Sequence, residues 1–370
     1  MKRLLTLASV LVLVGALGAS ARSSSSAPSF APARSYATGA DPFSLVIGDL
    51  TGDGKPDLVT VNFFANTASV LAGSGDGTFR ARQDHPTGLE PRSAAIGDLN
   101  GDRKPDLVVT NDFAPTLVVF VNKGDGSFQT RLDYKIGRVP DSVAIGDLNG
   151  DGKPDLATAN PQSNTISVLP NGNFRVRARH DFRTGSAPNS IAVRDLNGDG
   201  KLDLSAVNAG SNTVSVLVNN GSGNFRARRD YRTGSLPRSL AIGDLNGDGK
   251  PDIATANADS NTISVLINKG RGSFRGRRDY QAGTAPTSVA AGDLNGDRKL
   301  DLVTSNETAK TVSVLLNKGD GSFRARRVYR TGRSPRSVGI GDLNGDRELD
   351  LVTLNSRANA VSVLLNRTGK

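Results

Sequence analysis

Acidic residues recur in a nine-residue loop pattern that can bind a hard cation. The pattern D-x-[NT]-G-D-[GR]-x-x-D begins at Asp49 and recurs six more times, at intervals of 48 or 49 residues. Oxygen atoms from the side chains at loop positions 1, 3, 5 and 9, with the main-chain carbonyl of position 7, suit the flexible oxygen shell of Ca²⁺. No Glu stands at position 12, so the loop is not an EF-hand. The pattern predicts up to seven calcium sites, one per repeat.

The predicted metal ligands are the residues at positions 1, 3, 5 and 9 of each loop. They are Asp49, Thr51, Asp53, Asp57, Asp98, Asn100, Asp102, Asp106, Asp147, Asn149, Asp151, Asp155, Asp195, Asn197, Asp199, Asp203, Asp244, Asn246, Asp248, Asp252, Asp293, Asn295, Asp297, Asp301, Asp342, Asn344, Asp346 and Asp350. One such loop alone would be interpreted as a polar turn. Seven copies, each with three carboxylates, favour metal binding instead.

Two departures from the pattern weaken individual loops. Thr51 replaces the side-chain amide at position 3 of the first loop. Arg103, Arg298 and Arg347 replace the Gly at position 6. If position 6 has left-handed backbone, each Arg costs roughly 1–2 kcal/mol.

The repeat that carries these loops also predicts the fold. In the fifth unit, residues 239–243, 251–257, 261–268 and 274–280 have the apolar runs and alternation of four short strands. Four antiparallel strands per unit, repeated seven times, predict an all-β protein, a seven-bladed β-propeller. The seventh unit stops after its third strand at Asn366, and residues 30–36 repeat the Phe-to-Tyr spacing of residues 323–329. We therefore expect an N-terminal strand to complete blade seven and close the ring.

The N-terminus has the features of an export signal. Lys2 and Arg3 precede an almost wholly apolar run over residues 4–18, and Ala19-Ser20-Ala21 offers a cleavage site after Ala21. We expect residues 1–21 to be a signal peptide, 22–27 a serine-rich lead-in and 28–370 the propeller. The run is short for a membrane anchor and no second apolar segment follows, so we expect a secreted or cell-surface monomer without a membrane span.

The repeat resembles a known family. Residues 268–317 carry the elements G-x-x-x-F, T-x-x-x-P-x-S-V and D-L-N-G-D, and in these it is similar to the FG-GAP/VCBS repeats, which occur in the head propeller of integrin α-chains and in fungal seven-bladed lectins. The similarity covers nearly the whole mature chain. It implies calcium loops between the first two strands of each blade, and adhesion or glycan binding as the usual role.

The chain is basic, with a formal net charge of +10, and much of its arginine falls in the outer strands. This charge could attract anionic glycans, wall polymers or nucleic acid. Charged edge strands also prevent sheet-to-sheet aggregation, and we favour this interpretation, although the two are compatible. No specific nucleic-acid partner is predicted.

Ligand specificity is expected where the repeats differ. The loop before each first strand, x-G-x-x-P-x-S, has a variable residue that should ring the channel mouth opposite the calcium loops: Phe43, Arg92, Asp141, Asn189, Arg238, Thr287 and Arg336. Phe63, Phe64 and Phe113 stand nearby, where other blades have small or polar residues, and could stack on sugar rings. Local packing between blades one and two is the alternative that we favour for them. The candidate ligand residues are therefore Phe43, Phe63, Phe64, Arg92, Phe113, Arg238 and Arg336.

No set of His, Tyr, Glu or Lys residues departs from the repeat in a way that suggests proton transfer. We therefore expect a non-enzymatic, secreted, calcium-binding propeller that acts as an adhesion or lectin-like module. Its partner is expected to be a glycan or a cell-surface protein. A polysaccharide-degrading enzyme on a propeller scaffold and a purely structural surface protein are the alternatives.

Overall fold

The computed structural model describes residues 27–113, 115–136, 139–174 and 179–368. Within these ranges the chain forms seven four-stranded antiparallel sheets that follow one another around a ring. The prediction of an all-β seven-bladed propeller is therefore confirmed. The predicted signal peptide and all but the last residue of the predicted lead-in lie outside the described residues.

The strands are numbered in chain order. Blade 1 contains β2 (Pro42–Gly48), β3 (Asp57–Asn62), β4 (Thr67–Leu71) and β5 (Gln83–Pro86); blade 2 contains β6 (Pro91–Gly97), β7 (Asp106–Asn111), β8 (Thr116–Asn122) and β9 (Phe128–Lys135); blade 3 contains β10 (Ser142–Gly146), β11 (Asp155–Asn160), β12 (Thr165–Leu169) and β13 (His180–Arg183). Blade 4 contains β14 (Pro188–Arg194), β15 (Asp203–Asn208), β16 (Thr213–Leu217) and β17 (Arg229–Arg232); blade 5 contains β18 (Pro237–Gly243), β19 (Asp252–Asn257), β20 (Thr262–Leu266) and β23 (Arg278–Gln281), with a small hairpin of β21 (Asn268–Gly270) and β22 (Ser273–Phe274). Blade 6 contains β24 (Pro286–Gly292), β25 (Asp301–Asn306), β26 (Thr311–Leu315) and β27 (Arg327–Arg330); blade 7 contains β28 (Pro335–Gly341), β29 (Asp350–Asn355), β30 (Ala360–Leu364) and, from the N-terminus, β1 (Arg34–Ala37). A short 3₁₀ turn, Ser356–Ala358, joins β29 to β30.

The hydrophobic core lies between neighbouring blades. Val59 and Val70 of blade 1, for example, share one cluster with Leu107 and Val109 of blade 2. The β-branched and other apolar residues that alternate along the middle strands project from the sheets and meet those of the next blade. Each blade is thus stabilised by its two neighbours, and the first strands contact one another around the channel.

The N-terminal strand closes the ring, as predicted. β1 pairs antiparallel with β30, with Arg34 opposite Val363 and Ala37 opposite Ala360. The predicted span of residues 30–36 was too long at its start, because Pro32 has no N–H to donate to the ladder. Phe30 forms only an isolated bridge, to Asn366.

The outer strand of blade 5 is shorter than predicted. The prediction began at Phe274, whereas β23 begins at Arg278. Phe274 belongs instead to the small hairpin, is buried, and packs edge-on against Tyr231 of blade 4 at 5.2 Å between ring centroids. In blade 2, by contrast, β9 pairs with β8 from Phe128 onward.

Candidate functional site

The acidic loops connect the first and second strands of the blades, so that they share one face of the ring. In the loop of blade 5, Asp244 accepts hydrogen bonds from the backbone N–H groups of Gly247 (2.7 Å) and Gly249 (2.8 Å). Asn246 Oδ1 accepts the N–H of Asp248 at 3.0 Å. The side chains of positions 1 and 3 therefore hold the loop in its turn by Asx-type hydrogen bonds.

The Asp at position 9 is buried in all seven loops. Asp252 accepts the N–H of Leu245 on one carboxylate oxygen (2.9 Å) and the N–H of Asn268 on the other (2.7 Å). It thereby fastens the loop to the end of the third strand. Equivalent pairs of bonds occur at Asp57, Asp106, Asp155, Asp203, Asp301 and Asp350.

These buried carboxylates carry raised pKa values. Burial, with a smaller contribution from repulsion by the carboxylates of Asp248 and Asp244, raises the pKa of Asp252 to about 6. The pKa of Asp301 and of Asp350 is raised to about 7 by the same causes. Repulsion among positions 1, 5 and 9 means that a cation placed near them would relieve an unfavourable interaction.

The predicted ligands are chemically suited to calcium. In this structure, however, their side chains do not form a compact group. All the predicted ligands offer oxygen, which a hard cation prefers. However, among the described residues no group of three or more His, Cys, Asp or Glu side chains is close enough together to hold a metal ion. The structure places every predicted metal-site residue in its loop, and calcium binding stays a prediction.

Position 6 of the loops is left-handed. The φ angle is +77° at Gly249 and +80° at Gly54. Arg103, Arg298 and Arg347 occupy the same conformation, with φ of +66°, +65° and +69°. The conformation on which the strain argument depended is present at all three arginines, so each of these loops contains a residue that its backbone disfavours.

The variable residues were predicted in the loops before the first strands, but six of them are the second residue of a first strand and only Asp141 precedes its strand. They form a collar at the opposite face, and contacts join them from blade to blade. Arg92 lies 3.5 Å from Asp141 of the next blade. Asn189 and Thr287 each donate a hydrogen bond to the carbonyl of the Pro that begins the next blade's first strand, at 3.3 Å and 3.2 Å. Burial lowers the pKa of Arg238, while the nearby carboxylates of Glu307, Asp259 and Asp141 raise it.

Phe43 and two arginines form the packed centre of this collar. Phe43 is fully buried, with the guanidinium groups of Arg336 and Arg92 at 4.9 Å and 5.3 Å from its ring centroid. Arg92 also pairs with Asp112 at 2.7 Å, and Arg336 pairs with Asp41 at 3.2 Å. These arginines are held by carboxylates and an aromatic ring, so the structure gives them a packing role.

The candidate ligand residues thus divide into two groups. Phe43 and Phe63 are buried against each other, with ring centroids 5.7 Å apart, so Phe63 is packed, as the favoured interpretation expects, and is not available to stack on a sugar ring. Phe64 and Phe113 are 70% and 66% exposed. Leu89, 50% exposed, was missed, although it is the only large apolar side chain at its repeat position. Phe64, Leu89 and Phe113 are called the apolar patch below.

The loops that carry the apolar patch are hydrogen-bonded to one another. Asn66 Oδ1 accepts the N–H of Glu90 at 2.8 Å, and Glu90 O accepts the N–H of Asp112 at 3.0 Å. The patch therefore spans the junction of blades 1 and 2 on the collar face. Among the described residues the only other exposed large apolar side chain is Val328, on the outer strand of blade 6.

The histidine and tyrosine side chains lie away from the collar. The two histidines are on β5 and β13, which are outer strands. The five tyrosines are on the outer strands β1, β9, β17, β23 and β27. The collar side chains named above are instead carboxylates, arginines, an amide, a hydroxyl and aromatic rings.

Comparison with known proteins identifies the repeat. A family model described as an FG-GAP-like repeat matches residues 49–109, 98–158, 147–206, 195–255, 244–304 and 293–353. No curated protein sequence matches the chain. No helix in the described part of the chain is long and apolar enough to cross a membrane.

Several solved structures are similar in fold. BBS1N, solved in complex with ARL6DN, has a TM-score of 0.62 and 12% sequence identity over 89% of this chain and 93% of its own. The virginiamycin B lyase of Staphylococcus aureus has a TM-score of 0.63 and 14% identity over 91% and 99%. Hydrazine synthase of Kuenenia stuttgartiensis has a TM-score of 0.63 and 17% identity over 89% and 96%. At such identities the likeness concerns the fold alone, which serves both binding proteins and enzymes.

Proposed function

The chain belongs to the FG-GAP-like repeat family, and from this premise we propose that it is a non-enzymatic, secreted binding module that is stabilised by calcium and takes a glycan as its ligand. The observation that carries the ligand proposal is the apolar patch, where three large side chains stay exposed at one blade junction. Large exposed apolar groups cost solubility and usually mark a binding surface. Aromatic rings offer flat apolar faces on which sugar rings can stack.

The experiment for the ligand is saturable binding of the mature protein to a glycan array. Replacing both Phe64 and Phe113 with Ala should abolish binding to the neutral glycans that the wild type retains. The matched control is Val328→Ala, which also removes an exposed apolar side chain but lies on the outer strand of blade 6. A neutral glycan that binds the double variant as well as the wild type would contradict the proposal.

The same assay separates the alternatives. Depolymerisation of a bound polysaccharide would support the enzyme, and the absence of any saturable glycan binding would support a structural role. A protein ligand would be indicated if the patch variant lost attachment to cell surfaces from which glycans had been removed.

The calcium proposal rests on the repulsion among loop carboxylates and on their all-oxygen donor set. Positions 1, 3, 5 and 9 would hold Ca²⁺, which would supply charge neutralisation and cross-link the first two strands. At a Ca²⁺ concentration equal to Kd, each site contributes about 0.4 kcal/mol, and seven sites about 3 kcal/mol. The melting temperature should therefore rise between chelator and millimolar Ca²⁺, and an unchanged value would refute the proposal.

Secretion is proposed from the N-terminal sequence. Residues 1–21 would direct export and be removed after Ala21. N-terminal sequencing of the mature protein should then begin at Arg22, and a chain that retains its first residues would contradict this.

A further inference from the structure

The outer strands are not equally charged around the ring. The equivalent segments 225–232, 274–281 and 323–330 of blades 4, 5 and 6 contain eleven arginines and two aspartates. The corresponding segments 30–37, 79–86 and 128–135, which serve blades 7, 1 and 2, contain five basic residues and two aspartates. All eleven arginines are exposed. We call segments 225–232, 274–281 and 323–330 the arginine arc.

The arginine arc is continuous across the blade junctions. Tyr231 of blade 4 donates a hydrogen bond from its hydroxyl group to the carbonyl of Gly272 in blade 5 at 3.3 Å, and Arg326 of blade 6 donates from Nη1 to the carbonyl of Ala282, directly after the outer strand of blade 5. Neighbouring outer segments of the arc are therefore within the reach of one side chain. A linear ligand that follows the rim would meet cationic groups on three blades without a gap.

Edge protection does not account for this distribution. All seven outer strands are sheet edges that need the same protection from pairing. The segments that serve blades 7, 1 and 2 have fewer than half as many basic residues, whereas segment 176–183 of blade 3 has three arginines, as blade 5 does. The excess arginine on blades 4 to 6 therefore has another cause.

Blade 6 lacks the Ser–Asp–Arg contact of the outer strand but retains the arginine. In blade 5, Asp279 accepts a hydrogen bond from Ser264 at 2.6 Å and pairs with Arg277 at 3.1 Å. In blade 6 the arginine, Arg326, is retained, but Val328 replaces the aspartate and is 51% exposed. An exposed Val in place of a paired Asp lowers stability and raises the local positive potential, which favours a role in binding an anion.

We propose that the arginine arc binds a linear anionic polysaccharide, through carboxylate or sulfate groups that pair with its guanidinium groups. The fork of donors on Arg suits such planar or tetrahedral anions. This inference rests on the proposed function in its polysaccharide ligand, but it uses a surface on the other side of the ring from the apolar patch.

The arc lacks the stacking surfaces that single-stranded nucleic acid needs. Phe274 and Phe323 are buried. Tyr231 and Tyr280 are half-buried, and their hydroxyl groups donate to carbonyls of the next blade at 3.3 Å and 3.2 Å. No aromatic face on these strands is therefore exposed among the described residues for a base to cover, which favours the polysaccharide.

The test compares two triple variants of the mature protein that lose the same charge. Arg229→Gln, Arg278→Gln and Arg327→Gln together alter the arc; Gln is the residue that blade 1 has at this position, Gln83, so the strand geometry is preserved. The control removes three cations from blades 1 and 2, by Arg80→Gln, Lys123→Gln and Lys135→Gln. Affinity for heparin and for polygalacturonate is measured as a function of salt concentration.

The arc variant should bind at least one of the two polysaccharides about tenfold more weakly or worse, with a smaller salt slope. The control should stay close to the wild type. Equal weakening by both variants would show nonspecific attraction, and no weakening by the arc variant would remove the site; either result overturns the proposal. Tighter binding of a single-stranded oligonucleotide than of both polysaccharides would overturn the partner class.

A single substitution tests the proposal in a variant that is expected to fold normally. Val328→Asp restores the aspartate of the other blades and should not lower the melting temperature, yet it should weaken polysaccharide binding about fivefold. Unchanged binding by this variant would contradict the proposal. Because Phe64 and Phe113 are not altered, binding to neutral glycans on the array should persist in all arc variants, so a failure of this inference is distinguishable from a failure of the proposed function.

Discussion

Replacing Asn268 with Ala should destabilise the whole ring, because this side chain joins two blades. Asn268 is buried, and its Nδ2 donates hydrogen bonds to Leu196 O of the preceding blade at 2.8 Å and to Pro251 O at 2.9 Å. Its Oδ1 accepts the N–H of Gly270 at 2.8 Å. Three hydrogen bonds at about 1 kcal/mol each, with backbone partners left partly unsatisfied, give an expected loss of about 3–4 kcal/mol.

The same contact occurs at other blade junctions, so the prediction can be tested at three equivalent sites. Asn219 and Asn317 make the same pair of Nδ2 bonds, at 2.8 and 2.9 Å and at 2.8 and 2.8 Å. Alanine at any of the three positions should therefore lower the free energy of unfolding by a similar amount, measured by urea denaturation at fixed Ca²⁺. Asn220→Ala is the control, since this residue is exposed and its side chain accepts hydrogen bonds only from Ser222 in the same turn. A loss below about 1 kcal/mol, or losses that differ widely among the three sites, would refute the reasoning.

Three further predictions concern ring closure, a titrating side chain and loop strain. Deleting residues 22–40 removes β1 and leaves β30 as an open edge, so the protein should melt earlier and self-associate; melting and size-exclusion profiles like those of the wild type would contradict this. His85→Tyr should stabilise the protein by about 1 kcal/mol, because the other outer-strand tyrosines donate a hydrogen bond to the next blade whereas His85 Nε2 has no partner. Burial lowers the pKa of His85 below 6.5, despite the carboxylate of Asp84, so protonation of His85 opposes folding as the pH decreases below about 6.5; the stability gain of His85→Tyr over the wild type should therefore grow with acidification, and a gain that does not change with pH would refute this. Arg298→Gly should raise the free energy of unfolding by about 1 kcal/mol and Gly249→Arg should lower it similarly, and two unchanged denaturation midpoints would show that the left-handed position carries no strain.

The fold could be predicted because seven copies of the repeat resolve a choice of secondary structure that a single copy leaves open. A single apolar run such as residues 251–257 is compatible with a strand or a buried helix segment. Seven copies at one spacing, with a split last unit, leave the closed ring as the arrangement that pairs every strand. The strand boundaries were predicted less accurately. Pro32 and the hairpin of β21 and β22 interrupt the hydrogen-bonded pairing locally, and the repeat spacing gives no information on this.

The candidate ligand surface could be predicted only in part, since exposure depends on contacts that close over long distances in sequence. Arg336 and Asp41 are far apart in the chain and meet only when the N-terminus completes the ring. Phe43 and Phe63 both depart from the repeat, as Phe64 does, yet only Phe64 stays exposed. The sequence identifies the residues that depart from the repeat. The folded structure is needed to show which of them pack against one another and which stay exposed.

Departures from the repeat are therefore most informative where nothing in the structure compensates for them. Phe43 is compensated, since Phe63, Arg92 and Arg336 surround it and the collar is packed. Val328 is not, because it removes the aspartate of the Ser–Asp–Arg contact and leaves an apolar side chain in water. The other blades show which residue stabilises this position. A blade that lacks it loses stability, and a functional advantage would explain why the substitution is kept. We propose ligand binding as that advantage at the apolar patch and at the arginine arc, and the two surfaces can be tested separately because they lie on opposite sides of the ring.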